Sequence, residues 1–148
     1  MLEELIKYNF KHYGSFKMQA EKIVYIPLSS QNDSKNIPKV YVWVQNSTED
    51  KVIYVGKTKN SVQKRMGEHR QGFKGKTKNG SVSGSKKFCF LKSIFDNHGS
   101  VHVWAREAER QSISINKIST SQISLFSVEE EWFINEFKGN SPKPELNF

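Results

Sequence analysis

Three stretches of the chain alternate between apolar and other positions, and each predicts a strand. In the first, Val40, Val42 and Val44 share one face while Tyr41 and Trp43 take the other. Lys51 to Gly56 forms the second. The turn-forming run Asn46-Ser47-Thr48-Glu49-Asp50 joins the two as an antiparallel hairpin. Ser100 to Arg106 is the third, with Val101, Val103 and Ala105 opposite His102 and Trp104. Elsewhere the period changes to that of a helix. Asn60 or Ser61 caps a helix running to about Arg70, with Val62 and Met66 inward and Arg65 and His69 one turn apart beside them. Gly67 weakens that helix by about 1 kcal/mol relative to alanine. Lys86 to Phe95 is a helix with Phe88, Leu91, Ile94 and Phe95 inward, stopped by Asn97-His98-Gly99. Ser127 to Lys138 is the last helix, ended by Gly139-Asn140-Ser141-Pro142. At the start, Glu3 to Tyr13 reads as a short helix and Ile23 to Leu28 as a strand closed by Pro27. The segment 29–37 is a loop by composition, 71–85 is a basic, glycine-rich loop, and 107–126 shows no firm period. The pattern predicts an α+β fold: a small mixed or antiparallel sheet of about three core strands, flanked by helices. An N-terminal extension, 1–37, precedes a main unit, 38–148. Together they suit a single compact domain of 148 residues.

Charge adds a partner. The net charge is +8 and the isoelectric point about 9.5, which favours a polyanion. The excess is concentrated beside the second strand, in Lys57, Lys59, Lys64, Arg65, Arg70, Lys74, Lys76, Lys78, Lys86, Lys87 and Lys92, opposed only by Glu68. Solvated surfaces usually mix signs, so a one-sign block reads as a track for a phosphate backbone. Cys89 is the only cysteine, which excludes an intrachain disulfide and a thiolate zinc site. Among Phe88, Phe90 and Leu91 it is expected to be a buried thiol. No apolar run approaches the ~18 residues of a membrane span. The acidic opening Met1-Leu2-Glu3-Glu4-Leu5 lacks the order of a signal peptide. A cytoplasmic setting without membrane contact is expected.

The candidate chemistry lies around Tyr54-Val55-Gly56-Lys57-Thr58. Hydrolysis of a phosphodiester needs an aligned water, neutralisation of the growing charge on phosphorus, and help for the leaving oxygen. Magnesium or manganese held by few carboxylates, with substrate phosphate completing its shell, supplies much of this. Tyr41, Tyr54, Lys57, Arg65, His69 and Glu130 are the set that fits. Each has a bland reading alone. The tyrosines pack on a sheet, His69 is a surface or core histidine, and Arg65 and Lys57 are solvated charges. Glu130 is the N3 residue of the capping box Ser127-Val128-Glu129-Glu130. Against that, Glu130 begins the stripe formed by Phe133, Ile134 and Phe137, where an unpaired charge is expensive. Glu131 is the substitute ligand if the helix is rotated.

The same residues resemble the GIY-YIG nucleases. Lys39-Val40-Tyr41 stands for the first motif, with its tyrosine kept and its glycine absent. Tyr54-Val55-Gly56 stands for the second. Arg65 follows nine residues after Gly56, His69 matches a histidine found in part of the family, Glu130-Glu131-Trp132-Phe133-Ile134 is similar to the glutamate helix, and Pro144-Glu145-Leu146-Asn147 is similar to a closing Pro-x-x-Asn. The likeness is greatest to the branch of phage endonuclease II and certain restriction enzymes. The resemblance implies divalent-metal cleavage of DNA. Glu130 would hold the metal, and Tyr41 would act as base or position the water with Lys57 lowering its pKa. Arg65 would contact the scissile phosphate, with Tyr54 and His69 orienting phosphate or water. Lys59, Lys64, Arg70, Lys74, Lys76, Lys78, Lys86, Lys87 and Asn147 are the candidate DNA contacts. Cutting duplex DNA requires two sites, hence a homodimer or homotetramer. A silent nucleic-acid binder and an RNA-cleaving toxin or effector are the other readings of this sequence.

Overall fold

The computed structural model describes residues 1–74, 80–115, 118–139 and 143–148. Its centre is an antiparallel sheet of five strands, not about three, in the order β2-β1-β5-β3-β4. The strands β3 (Lys39–Asn46), β4 (Asp50–Thr58) and β5 (Ser100–Glu107) are those the alternation predicts. The other two are β1 (Lys11–Gln19) and β2 (Lys22–Pro27), an N-terminal hairpin whose β1 pairs with β5. Only Leu2–Lys7 (α1) is helical in the segment expected to be a helix as far as Tyr13. The reason is a register shift against β5 between His12 and Gly14, which leaves Tyr13 as an extra residue. Buried Tyr13, Gly14 and Phe16 therefore break the period of two that marks a strand in sequence. The stretch without a clear period contains a second hairpin, β6 (Arg110–Ile115) and β7 (Ile118–Ser124).

Helices cover both faces of the sheet. On one side lie α2 (Val62–Gly72) and α3 (Val82–Asp96), over Tyr41, Trp43, Val101, Val103 and Ala105. On the other lie α1 and α4 (Phe126–Glu136), over Val40, Val42, Val44, Val52 and Val55. This is why β3 is buried at alternate positions of both kinds. Leu91 and Ile94 take the inward face of α3, and Cys89 consequently faces solvent rather than the core. The helix starts at Val82, earlier than its apolar pattern indicates, because the Ser81 hydroxyl accepts from Gly84 N at 3.0 Å. The chain's end closes the sheet: Leu146 N donates to Ile53 O at 2.8 Å on the edge strand β4. No described helix is long and apolar enough to cross a membrane.

Candidate active site

The hairpin β3–β4 sets two phenols on one face. Tyr41 pairs with Gly56 and Trp43 with Tyr54, so Tyr41 and Tyr54 are diagonal neighbours. Their ring centroids lie 5.9 Å apart. Gly56 makes this possible: a Cβ there would run into the Tyr41 ring. The strand runs on through Gly56 to Thr58, so the glycine of the motif is a space for a phenol and not the end of the strand. Ile53 is the bulged residue between the pairs Trp43–Tyr54 and Val44–Val52, and the bulge lets Ile53 join the face of Tyr54 while Val52 lies on the other.

Helix α2 crosses this face with Arg65 and His69. Ser61 caps it, its hydroxyl accepting from Lys64 N, and the Asp33 carboxylate accepts from Val62 N at 2.7 Å and Gln63 N at 2.9 Å. Asp33 comes from the 29–37 loop, which buried Lys39 holds by donating to the carbonyls of Ser34, Ile37 and Asn60. Arg65 Nε donates to the Tyr41 hydroxyl at 3.2 Å, and Arg65 Nη1 to Glu68 at 2.7 Å. The Tyr41 hydroxyl lies 2.6 Å from His69 Nε2. Burial, with Lys87 and Arg65 adding to it, pushes His69 down to about 2. The ring is therefore neutral, with one nitrogen a donor and the other an acceptor, and Nε2 shares a hydrogen bond with the Tyr41 hydroxyl. Tyr41 is fully buried, and burial raises its pKa well above that of a free phenol, with Tyr54 adding and Arg65 opposing. Lys57 is not the cation that acts on Tyr41; that place is Arg65's. Tyr54 is also raised, first by burial, with Tyr41 and Arg65 opposing and Glu130 adding.

Glu130 reaches the site from α4. The helix begins at Phe126 with Leu125 at its N-cap, and no side chain caps it. Ser127 is already inside the helix, so the capping-box reading of Glu130 fails. The Ser127 hydroxyl instead accepts from Lys57 Nζ at 3.0 Å. One turn on, Glu130 lies 3.5 Å from the same ammonium, its side chain 21% exposed. Lys57 thus ties the end of β4 to the first turns of α4. Glu131, the substitute ligand, is exposed, whereas Glu129 is spent on Arg106 at 3.0 Å and on Glu109 N.

Among the lysines of the basic block, Lys87 departs from expectation. Its Nζ lies over the Tyr54 ring, 4.4 Å from the centroid, half-buried beside the cluster. Burial and Arg65 lower it to about 8. Lys59, Lys64, Lys74 and Lys86 are exposed, and Arg70 is exposed with its Nε donating to Ile23 O at 3.1 Å. Lys76 and Lys78 lie outside the described residues. Asn147 does not offer its amide to a nucleic acid. Its Oδ1 accepts from Val55 N at 2.8 Å and its Nδ2 donates to Val55 O at 2.7 Å, so it acts as a strand partner for the edge of β4. Sequence reasoning missed Asp33, which caps α2, and Ser127, which anchors Lys57. A carboxylate in a polar loop and a helix-start serine each have commoner local uses.

Two phenols, a guanidinium and a neutral imidazole therefore meet on the face covered by α2 and α3, while Glu130 pairs with Lys57 on the α4 side of the same hairpin, beside a concentrated positive charge. The family model for the GIY-YIG catalytic domain matches residues 38–117, more than half of the chain. The chain belongs to that family and is a nuclease. Among solved structures it is similar to a point mutant of bacteriophage T4 EndoII, with a TM-score of 0.68 and 24% identity, 96% of this chain and 96% of that chain being covered. It is also similar to the restriction endonuclease HPY188I in complex with product DNA, with a TM-score of 0.50 and 20% identity, over 96% of this chain and 80% of that one. No curated protein sequence matches the chain.

Proposed function

We propose that this chain is a divalent-metal-dependent endonuclease that hydrolyses phosphodiester bonds of double-stranded DNA. The observation that carries the reading is the placement of Glu130. Lys57 pairs with it at the end of β4, and the Glu130 charge bears on Tyr54, whose ring neighbours Tyr41 of the Tyr41–Arg65–His69 network. The donor set fits magnesium or manganese. No cluster of three protein metal ligands exists among the described residues, and magnesium characteristically takes one or two carboxylates, several waters and substrate phosphate oxygens. Glu130 would hold the ion. When bound, the ion would lower the pKa of a coordinated water and offset charge on the phosphoryl group.

The protein's own groups do the rest. Arg65 presents fixed charge to the phosphoryl oxygens, its orientation set by Tyr41 and Glu68. The Tyr41 hydroxyl is fixed by its hydrogen bond with His69 Nε2 and by the donation from Arg65 Nε. Burial, with Lys87 and Arg65 nearby, makes charging His69 far costlier than charging a free imidazole. Positioning therefore outweighs proton removal at Tyr41, and His69 fixes the phenol rather than draining it. Tyr54, between Glu130 and Arg65, orients the attacking water. The exposed lysines track the flanking phosphates, and cutting both strands calls for a dimer or tetramer.

Purified protein incubated with plasmid, linear duplex and structured RNA, each with magnesium or a chelator, tests the reading. Plasmid and duplex are expected to be cut only with metal. Glu130→Ala should lower the rate by at least about 100-fold with folding intact. Cleavage that survives this substitution removes Glu130 from the role. Binding without strand breaks would make the chain a silent binder, and cleavage confined to RNA would move the substrate class.

A further inference from the structure

Lys87 occupies a position where its helix should be apolar. Gly84 and Leu91, one turn before it and one turn after, are both buried, as is Ile94. Gly84 packs against the Gly72 carbonyl of α2, where a Cβ would not fit, and this close approach seats α3 against the site. Its ammonium lies over the face of Tyr54 at 4.4 Å. Its charge bears on His69, and that of Arg65 bears on Lys87. It has no carboxylate partner among the described residues. Other lysines of the block differ: Lys57 is paired with Glu130 and Lys92 with Asp96, while Lys59 and Lys86 are exposed. An aromatic face rewards an ammonium modestly. It does not offset half-burial beside a second cation without a counter-ion. Lys87 over Tyr54 and Arg65 on the Tyr41 hydroxyl thus place two mutually repelling cations on neighbouring phenols, only Arg65 of them paired, with Glu68, and an anion bound beside both would relieve that repulsion.

We propose that Lys87 is a catalytic residue of this site, its ammonium and the Arg65 guanidinium together holding the phosphoryl group of the bond to be cut. This rests on the nuclease reading above and goes beyond it. Lys87 leaves the set of lysines that merely follow the backbone and joins the groups that touch the reacting phosphorus centre.

The test uses the full chain with Lys87→Gln, and with Lys87→Met as a second uncharged variant of similar length. Under single-turnover conditions with plasmid DNA and magnesium, the saturating rate should fall about 100-fold, as for loss of one donor to a charge-developing group. The dissociation constant should change little. Both variants should also unfold at a higher temperature than the wild type, because they remove an unpaired, half-buried charge. Inorganic phosphate should shift the Lys87 side-chain and Arg65 Nε resonances of the wild type, and the Arg65 shift should vanish in the variants. A saturating rate within threefold of wild type would overturn the proposal. So would a loss confined to affinity, with the salt slope reduced by about one, which marks a backbone-tracking lysine. If the wild type cuts no nucleic acid yet phosphate shifts both resonances, the nuclease reading fails and the anion site stands. If it cuts and phosphate leaves Lys87 unmoved, the proposal fails and the nuclease reading stands.

Discussion

At the scale of single residues, burial decides ionisation in this site. Tyr41 has a guanidinium within hydrogen-bond reach, yet its pKa is raised because it is sealed from water. His69 shows the same dominance with the opposite sign: a base buried beside Lys87 and Arg65 stays neutral. The consequence for stability follows from linkage. The folded protein's His69 titrates near 2 and a free imidazole at 6.5, so between those values the unfolded chain holds a proton that the folded one lacks. Stability from this group is complete above pH 6.5 and declines as the pH falls below it, by about 1.4 kcal/mol per unit. Urea denaturation at pH 7.5 and pH 5 should show His69→Gln losing less stability on acidification than the wild type. Equal losses would mean that His69 is solvated and titrates normally.

At the scale of elements, small irregularities aim the chemistry. The pairing of Trp43 with Tyr54 sets Tyr54 beside Tyr41, the bulge at Ile53 adds a core residue to that face, and the missing side chain of Gly56 leaves room for the Tyr41 ring. Asp33, outside any helix, satisfies two backbone donors at the start of α2 and so fixes the helix that carries Arg65 and His69. The contact between Gly84 and Gly72 does the same for α3 and Lys87. Gly84→Ala should therefore cost about 1–3 kcal/mol, the usual range for overpacking, and lower the cleavage rate by displacing Lys87. Unfolding midpoints and single-turnover rates check both effects. An alanine variant as stable and active as the wild type would show that the helices do not approach so closely.

At the scale of the whole molecule, the N-terminal segment is part of the sheet that carries the site. The family match begins at residue 38, but β1 lies between β2 and β5 and contributes Tyr13 and Phe16 to the same core as Tyr41 and Trp43. Removing residues 1–37 would expose the edge of β5 and uncover that core. The fragment 38–148 should lack a cooperative unfolding transition and show poorly dispersed amide resonances. A well-dispersed spectrum with a sharp transition would show that the matched region folds unaided. At the other edge, Asn147 and Leu146 occupy the backbone of β4, so both margins of the central hairpin are covered.

Local physics sufficed for much of this in the sequence. Strict alternation at 40–44 and 100–106 marks central strands because their two faces meet different helices. Tyr41, Tyr54, Arg65 and Glu130 stand out as candidates by the order of motifs and not by period alone, since β4 carries a bulge beside Tyr54. The N-terminal hairpin could not be read, because a bulge at Tyr13 mixes the two faces of β1. Nor did spacing reveal that Ser127 would bind Lys57 instead of capping a helix, that Asn147 would serve as a strand partner, or that Cys89 would face water. The sequence by itself determined which groups are present and the elements that carry most of them. Tertiary structure decided which charges lose their water and which find a partner, as Lys87 beside Tyr54 shows. Desolvation and pairing depend on neighbours distant along the chain, and no local period encodes them.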